Sequence, residues 1–479
     1  MKKLVALLLV LVMAVSLFAA CKGGEGAGTT APAGTKAPAG TTAPAGTNAP
    51  AGTTAPAELN TDWIWEDKTI SGKVTFAMPF KGPAGMDAMI AEFNESYPNI
   101  EVELHVYSNN SAGNVALDTA ISGGLIDVVT SFGLSNAYNR WSGGLYMDLT
   151  DMVEEEGIDL VANWGTDVYK YEDSIYTFPC GGLSYYIAIN MTAWKDAGYT
   201  DLPTEWTWDE YIEACTKMTK KNADGTTAIY GGGDYHSQNY VMNAYLQVNG
   251  GDMYYTKDGK SSFDDPLVIK QINREIKAEK DGIWYAKANR LNDWQAQMTF
   301  CRGTQASVII CNVTRFLHDT ATYPEVDWIT GFAPYPVEEK GQTNYMSGVT
   351  PFSHAGITYN CDDVDAAWAF LKWYSTYGVK YLVASGHQPN WTGTEIGSAI
   401  EVIYGSEEEA KKWIDIESYN RVVGVATNPM WKDVVLTAYG DMSGICSDYV
   451  MKALTGEMTA EDAMAQAAQE ANDAIANAG

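Results

Sequence analysis

Five histidines, His105, His236, His318, His354 and His387, are scattered along 479 residues without H-E-x-x-H spacing or any Cys/His ligand pattern. No P-loop, no G-x-S-x-G elbow and no G-x-G-x-x-G behind a strand accompanies them. Metal and nucleophilic catalysis therefore have no anchor, and no cofactor is implied. A glycosidase needs only two suitably placed carboxylates, so an enzyme reading stays open among 60 acidic residues. The aromatic content is a more direct lead, with 15 Trp, 29 Tyr and 12% aromatic residues overall. A large core uses many of these. The abundance of Trp and Tyr also suits a site that stacks on sugar rings, whose C–H faces are apolar and whose edges need hydrogen bonds. Candidate rings stand in loop-like stretches: Phe80 behind the first strand, Tyr235, His236 and Tyr240 in the loop from Gly231, Trp391 beside Pro389, and Trp431 behind Pro429 and Met430. Each either meets a ligand or packs beneath its loop.

The elements that must position these rings alternate between strand and helix. Gly72 to Met78 reads as a strand by its alternation, Met86, Met89, Ile90 and Phe93 recur at helical spacing, and Ile100 to Val106 reads as a second strand. Asn114 to Ser122 follows as a helix and Ile126 to Thr130 as a short buried strand. This order implies βαβ crossovers and a largely parallel sheet, with ligands at the carboxyl ends of its strands. Further on, Ser184 to Asn190 reads as an apolar strand. Thr207 with Glu210 three residues later is a capping box, and Asp224-Gly225 marks a turn. Phe300 to Ile310, Gly348 to Thr358, the Ala366 to Tyr374 helix and an alanine-rich helix from Ala460 to Ala476 complete the pattern, the last with Met464, Ala467 and Ala471 on one face.

The two ends of the size argument agree with a cleft. Lys2 and Lys3 precede an apolar run, Leu4 to Val15, that leads through Leu17-Phe18-Ala19-Ala20 to Cys21, the layout of an export signal with a cleavage site. Residues 1–20 are set aside as that signal. From Lys22 to Ala57 the composition falls to Gly, Ala, Thr and Pro, with a Thr-x-Ala-Pro-Ala-Gly hexad starting at Thr29, Thr35, Thr41 and Thr47. Such a segment buries no core. As a flexible coil it would reach on the order of 35 Å, which makes residues 21–58 a tether. Roughly 420 residues remain, beyond the size at which one core keeps growing, so two lobes are expected. No later run approaches the ~18 apolar residues of a membrane span. The formal net charge of −29 argues against nucleic acid and anionic surfaces as partners. Cys180, Cys215, Cys301, Cys311, Cys361 and Cys446 contain no C-x-x-C pair, and both free thiols and disulfides stay open for an exported chain.

Several of these segments together resemble one family, the extracellular solute-binding proteins of ABC importers, in particular the carbohydrate-binding group typified by maltose-binding protein. Tyr97-Pro98-Asn99-Ile100-Glu101-Val102 is similar to the family's approach to its second strand, and Gly123-Gly124 to Val128 is similar to its third. The stretch from Ile175 to Asn190, followed by Trp194, Ala197-Gly198, Pro203 and Thr207-Trp208-Asp209-Glu210, resembles its most recognisable segment. Phe300-x-x-Gly303 with Ala306, the Gly348 region, Ala367-Trp368-x-Phe370-Leu371 and Pro389 continue the order. The Leu-Phe-Ala-Ala-Cys run resembles a bacterial lipobox, which implies that Cys21 is lipidated.

The resemblance implies an α/β, two-lobed periplasmic-binding-protein-like fold with a hinge and an interlobe ligand cleft. The first lobe is expected at 59–181 plus 347–387 and the second at 182–346 plus 388–479. It implies a carbohydrate ligand, ABC-transporter permease subunits as partners, and a monomer anchored at the outer face of the cell membrane through Cys21. Aligned by motif, the family's site falls at Phe132 to Asn136, Gly182 to Tyr186, Asp234 to Tyr240, Asn312 to Arg315 and Pro429 to Trp431. The expected contacts are therefore Phe80, Phe132, Ser135, Tyr185, Tyr235, His236, Tyr240, Asn312, Trp391 and Trp431. Trp194, Trp206, Trp208 and Trp368 fall in structural motifs and are expected in core or capping roles. Where the family places an acid this chain has Gly181-Gly182, and where it places a tryptophan this chain has Asn312 or Val313, so a disaccharide specificity does not carry over. A sugar-sensing co-receptor for a membrane kinase would share the same fold and site.

Overall fold

The structure, a computed structural model, describes residues 59–65, 67–79, 85–165, 169–234, 237–250, 252–289, 295–383, 385–394, 398–424 and 437–478. Its first sheet starts with β1, Gly72–Met78, whose Val74, Phe76, Ala77 and Met78 are buried. The helix α1, Met86–Ser96, turns Met86, Met89 and Phe93 inward and returns the chain to β2, Ile100–Val106, parallel to β1 from Gly72 opposite Ile100 onward. A second helix, α2, Ser111–Ser122, is capped by Asn110, whose side chain accepts from Gly113 N at 2.8 Å. It leads to β3, Val128–Phe132, parallel to β1 on the other side. The sequence places this strand two residues earlier. Asp127 stays outside it because its carboxylate accepts from Thr75 N at 2.7 Å.

The remaining strands of this sheet come from far along the chain. They are β4, Phe178–Leu183; β8, Thr350–Ile357; and β9, Gln388–Pro389. The order is β9-β4-β8-β3-β1-β2, with β8 antiparallel to both β3 and β4 and β9 antiparallel to β4. A second, antiparallel sheet has β5, Tyr186–Asn190, at its centre between β6, Ser307–Ile310, and β7, Thr330–Pro334. Only Ser184 and Tyr185 separate β4 in the first sheet from β5 in the second. The chain crosses back between β7 and β8.

Helices cover both sheets. On the way out of β3 lies α3, Leu134–Ser142, and beyond β5 lie α4, Met191–Asp196, and α5, Trp208–Met218. The capping box on α5 forms as expected: Thr207 Oγ1 accepts from Glu210 N at 3.3 Å, and Glu210 Oε2 accepts from Thr207 N at 2.8 Å. Next come α6, Ser237–Asn249, and α7, Pro266–Lys280. Tyr240 thus belongs to a helix, not to the loop expected from Gly231. The extended segment there is shorter, because Tyr230 and Gly232 bridge to Gln305 and Trp284 and use up the glycine run.

Against β1 lies α8, Val364–Tyr374, where Phe370 and Tyr374 meet Phe76 at 5.0 and 4.9 Å between ring centroids. Lys372 on α8 is buried and bonds Glu156 at 2.6 Å, while the Trp368 indole donates to the other oxygen of the same carboxylate at 2.7 Å. The chain closes with α9, Tyr439–Leu454, against α10, Ala460–Ala478, which buries Met464, Ala467 and Ala471 as the alanine pattern requires. Trp194, Trp206, Trp208 and Trp368 are all buried. All six described cysteines are free. Among the described residues no helix is long and apolar enough to cross a membrane.

Candidate ligand site at the junction of the sheets

At the carboxyl end of β3 the chain turns through Gly133, at φ 81°, into α3. Gly133 N donates to Phe352 O at 2.8 Å, which brings the start of β8 beside the end of β3. The Phe132 ring lies 5.4 Å from Phe352 and 4.9 Å from His387, and Phe352 and His387 stack at 5.7 Å with 20° between their planes. Ser135, half-buried, sits in the first turn of α3.

This corner is held from behind by the buried Arg140. Its guanidinium donates to Asp118 at 2.7 Å, to Ser131 Oγ at 2.6 Å and to Asn114 Oδ1 at 2.8 Å, and so joins β3 to α2. A charge buried in this way is tolerated because every side of it is hydrogen-bonded. Burial, with Arg315 nearby, lowers the His387 pKa to about 3, so its ring is neutral at physiological pH.

The crossing segments meet in the same place. Tyr185 N donates to Met346 O at 2.8 Å, Ser184 Oγ to Ser347 O at 3.1 Å and Ser347 Oγ to Tyr185 O at 3.3 Å. Beside them β9 pairs with Gly181 and Gly182 of β4. A Cβ on Gly182 would lie 2.6 Å from Val349 Cγ1 and 2.8 Å from Asn390 Nδ2. Gly182 therefore makes room for the side chains of Val349 and Asn390. At the end of β6, Asn312 occupies the cap position of the turn Val313–Phe316 without capping it. Its Oδ1 is buried and has no partner among the described residues.

The structure thus brings Phe132, Tyr185 and Asn312 to the region where the sheets join, with Ser135 one turn beyond Phe132. Trp391 is placed differently. Its indole donates to Asn163 Oδ1 at 3.0 Å and its ring packs 5.1 Å from Tyr377 in the core of the first sheet. Phe80, Tyr235, His236, Trp431 and Cys21 lie outside the described residues, as does the side chain of Tyr240. Phe352, His387, Gln388 and Asn390 were not among the expected contacts. The signal for them was the Gly181-Gly182 pair, which calls for bulk from a facing strand. No group of three or more metal-ligating side chains occurs among the described residues. A separate surface groove of about 510 Å³ lies beside α4 and α5, where Trp194 and Tyr199 stack at 4.2 Å among paired acids and lysines.

The sequence profile of the bacterial extracellular solute-binding proteins matches residues 79–381. The chain belongs to this family. Solved structures similar to it include a sugar transporter from Rhizobium etli in an open conformation, with TM-score 0.63 and 16% identity over 85% of this chain and 99% of that one. A substrate-binding protein from Listeria monocytogenes in complex with cycloalternan matches with TM-score 0.63 and 16% identity over 85% and 100%. A maltose-bound protein of T. maritima matches with TM-score 0.62 and 20% identity over 83% and 98%. These likenesses establish the two-lobed α/β fold of a solute-binding protein.

Proposed function

We propose that this chain captures a carbohydrate, an oligosaccharide in particular, in the cleft between its lobes and hands it to the permease subunits of an ABC importer. The observation that carries the reading is the corner where the rings of Phe132, Phe352 and His387 pack together, on the segment that continues into the amide side chains of Gln388 and Asn390. Rings offer apolar faces and amides offer both donors and acceptors, the combination a sugar needs. Similar structures hold cycloalternan, maltose, ribitol and D-mannitol, all uncharged polyhydroxylated molecules. Phe132, Ser135, Tyr185 and Asn312 are the contacts supported by position, and Phe80, Tyr235, His236, Tyr240 and Trp431 complete the set from sequence. Trp391 acts in this reading as a support for β9, since its ring and N–H are engaged in the core.

The lobes are taken as 59–181 plus 347–387 and 182–346 plus 388–479, closing about the crossing segments. The chain acts as a monomer, anchored outside the cell by a lipidated Cys21 and a 21–58 tether, and releases its ligand unaltered. A thermal-shift screen of residues 59–479 against mono- and oligosaccharides, amino acids and peptides tests this, with product analysis of every mixture. Ligand at 100 times its Kd adds about 2.7 kcal/mol, enough to move the melting point visibly. A shift with one sugar class and no product is expected. A hit confined to peptides, or a new product, would sink the reading.

A further inference from the structure

Four polar side chains line the short stretch on which the chain leaves the first sheet for the last time. Ser385, Gln388 and Asn390 are 0%, 5% and 7% exposed, and Asn312, across from Gly386, is 5% exposed. Each carries an oxygen without a hydrogen-bond partner among the described residues. Buried acceptors left in this state carry their full desolvation penalty, and native interiors show few of them. A group of four along six residues and one facing loop therefore points to something that donates to them.

Gln388 and Asn390 are alternate residues of an extended segment and share a side. On the opposite strand Gly182 faces Gln388, and because it has no side chain the Asn390 amide closes in over it, within 2.8 Å of where a Cβ would stand. The Gln388 amide is steadied by the hydroxyl of Tyr419. Three primary amides without a carboxylate among them match neutral hydroxyl groups, since an amide serves a hydroxyl in either orientation.

We propose that Gln388, Asn390 and Asn312 form a pocket at the base of the cleft that reads the hydroxyl pattern of one sugar unit and so sets which ring stereochemistry is accepted. This rests on the carbohydrate reading above. A site built to bond a hydroxyl rejects an analogue that lacks it far more strongly than an apolar pocket rejects a missing methylene, by up to ~10⁴-fold. One hydroxyl of the bound unit thus dominates selectivity.

The test takes the sugar that gives the largest thermal shift and titrates it, with each of its monodeoxy analogues, into the wild type, Asn390→Leu, Gln388→Leu and the milder Asn390→Ser, with folding checked by circular dichroism. For the wild type, removal of one particular hydroxyl should weaken binding at least 100-fold. The Leu variants should bind the parent sugar at least tenfold more weakly and lose most of that discrimination, and Asn390→Ser should fall between. Folded variants that bind parent and analogues as the wild type does would overturn the pocket while leaving carbohydrate binding intact. Absence of any sugar binding by the wild type would overturn both.

Discussion

A Cβ on Gly386 would lie 2.6 Å from Cβ of Asn312, so the turn before β9 rests directly on the backbone at the end of β6. Gly386 also has φ 86°, a region costly to any residue with a side chain. Gly386→Ala should lower stability by about 1–3 kcal/mol and, by forcing β6 and β9 apart, weaken ligand binding at least tenfold. Urea unfolding and sugar titration of the variant check both. An unchanged midpoint would mean that the turn adjusts freely.

Acid sensitivity follows from two buried histidines. Burial lowers the pKa of His354 and of His387 from 6.5 to about 3. Above pH 6.5 both are neutral whether folded or not, and their burial carries no proton penalty. As the pH falls below 6.5 the unfolded chain binds protons that the native state refuses. Stability then drops by about 1.4 kcal/mol per unit per histidine, until the folded value near 3 is reached. Between pH 6.5 and 5.5, before most carboxylates titrate, His354→Phe should flatten the stability profile. His354 is the better of the two to replace because it lies between Trp141 and Tyr169, away from the proposed pocket. An equal slope in variant and wild type would contradict the assignment.

The Lys372–Glu156 pair lies under α8 with the lysine buried. Lys372→Met leaves Glu156 without its counter-charge and should cost about 3 kcal/mol, and adding Glu156→Gln should recover most of that. A double-mutant cycle in denaturant measures the recovery, and strict additivity would refute it.

At the start of α5, Thr207→Ala removes the oxygen that accepts from Glu210 N. A loss of about 1 kcal/mol is expected. Ligand affinity should stay unchanged, because the cap lies in the second sheet's helical cover. A variant that lost binding without losing stability would show that α5 reaches the ligand.

Much of the fold was legible because it is local. The α5 capping box needs only Thr207 and Glu210, and β1, α1 and β2 follow from spacing inside a 35-residue window. Of the proposed site, Phe132, Tyr185 and Asn312 are the expected positions that lie where the sheets join, and a family motif runs through each of them. Gln388 and Asn390 escaped because a two-residue strand has no period to read, and their meaning depends on Gly182, about two hundred residues earlier. Trp391 looked like a ring in a polar loop. Its partner Asn163 is equally remote in sequence, and that contact decides its place. Tyr240 follows the Gly231 run and so reads as loop, although Val241, Met242, Tyr245 and Leu246 recur at helical spacing just beyond it.

The strand order also has a consequence for timing. Because β8 is inserted between β3 and β4, the first sheet exists only as two separate fragments until residue 350 of 479 is available. Pairings of such long range are slow to form. A chain delivered from its amino end thus completes its first sheet only when its last quarter arrives.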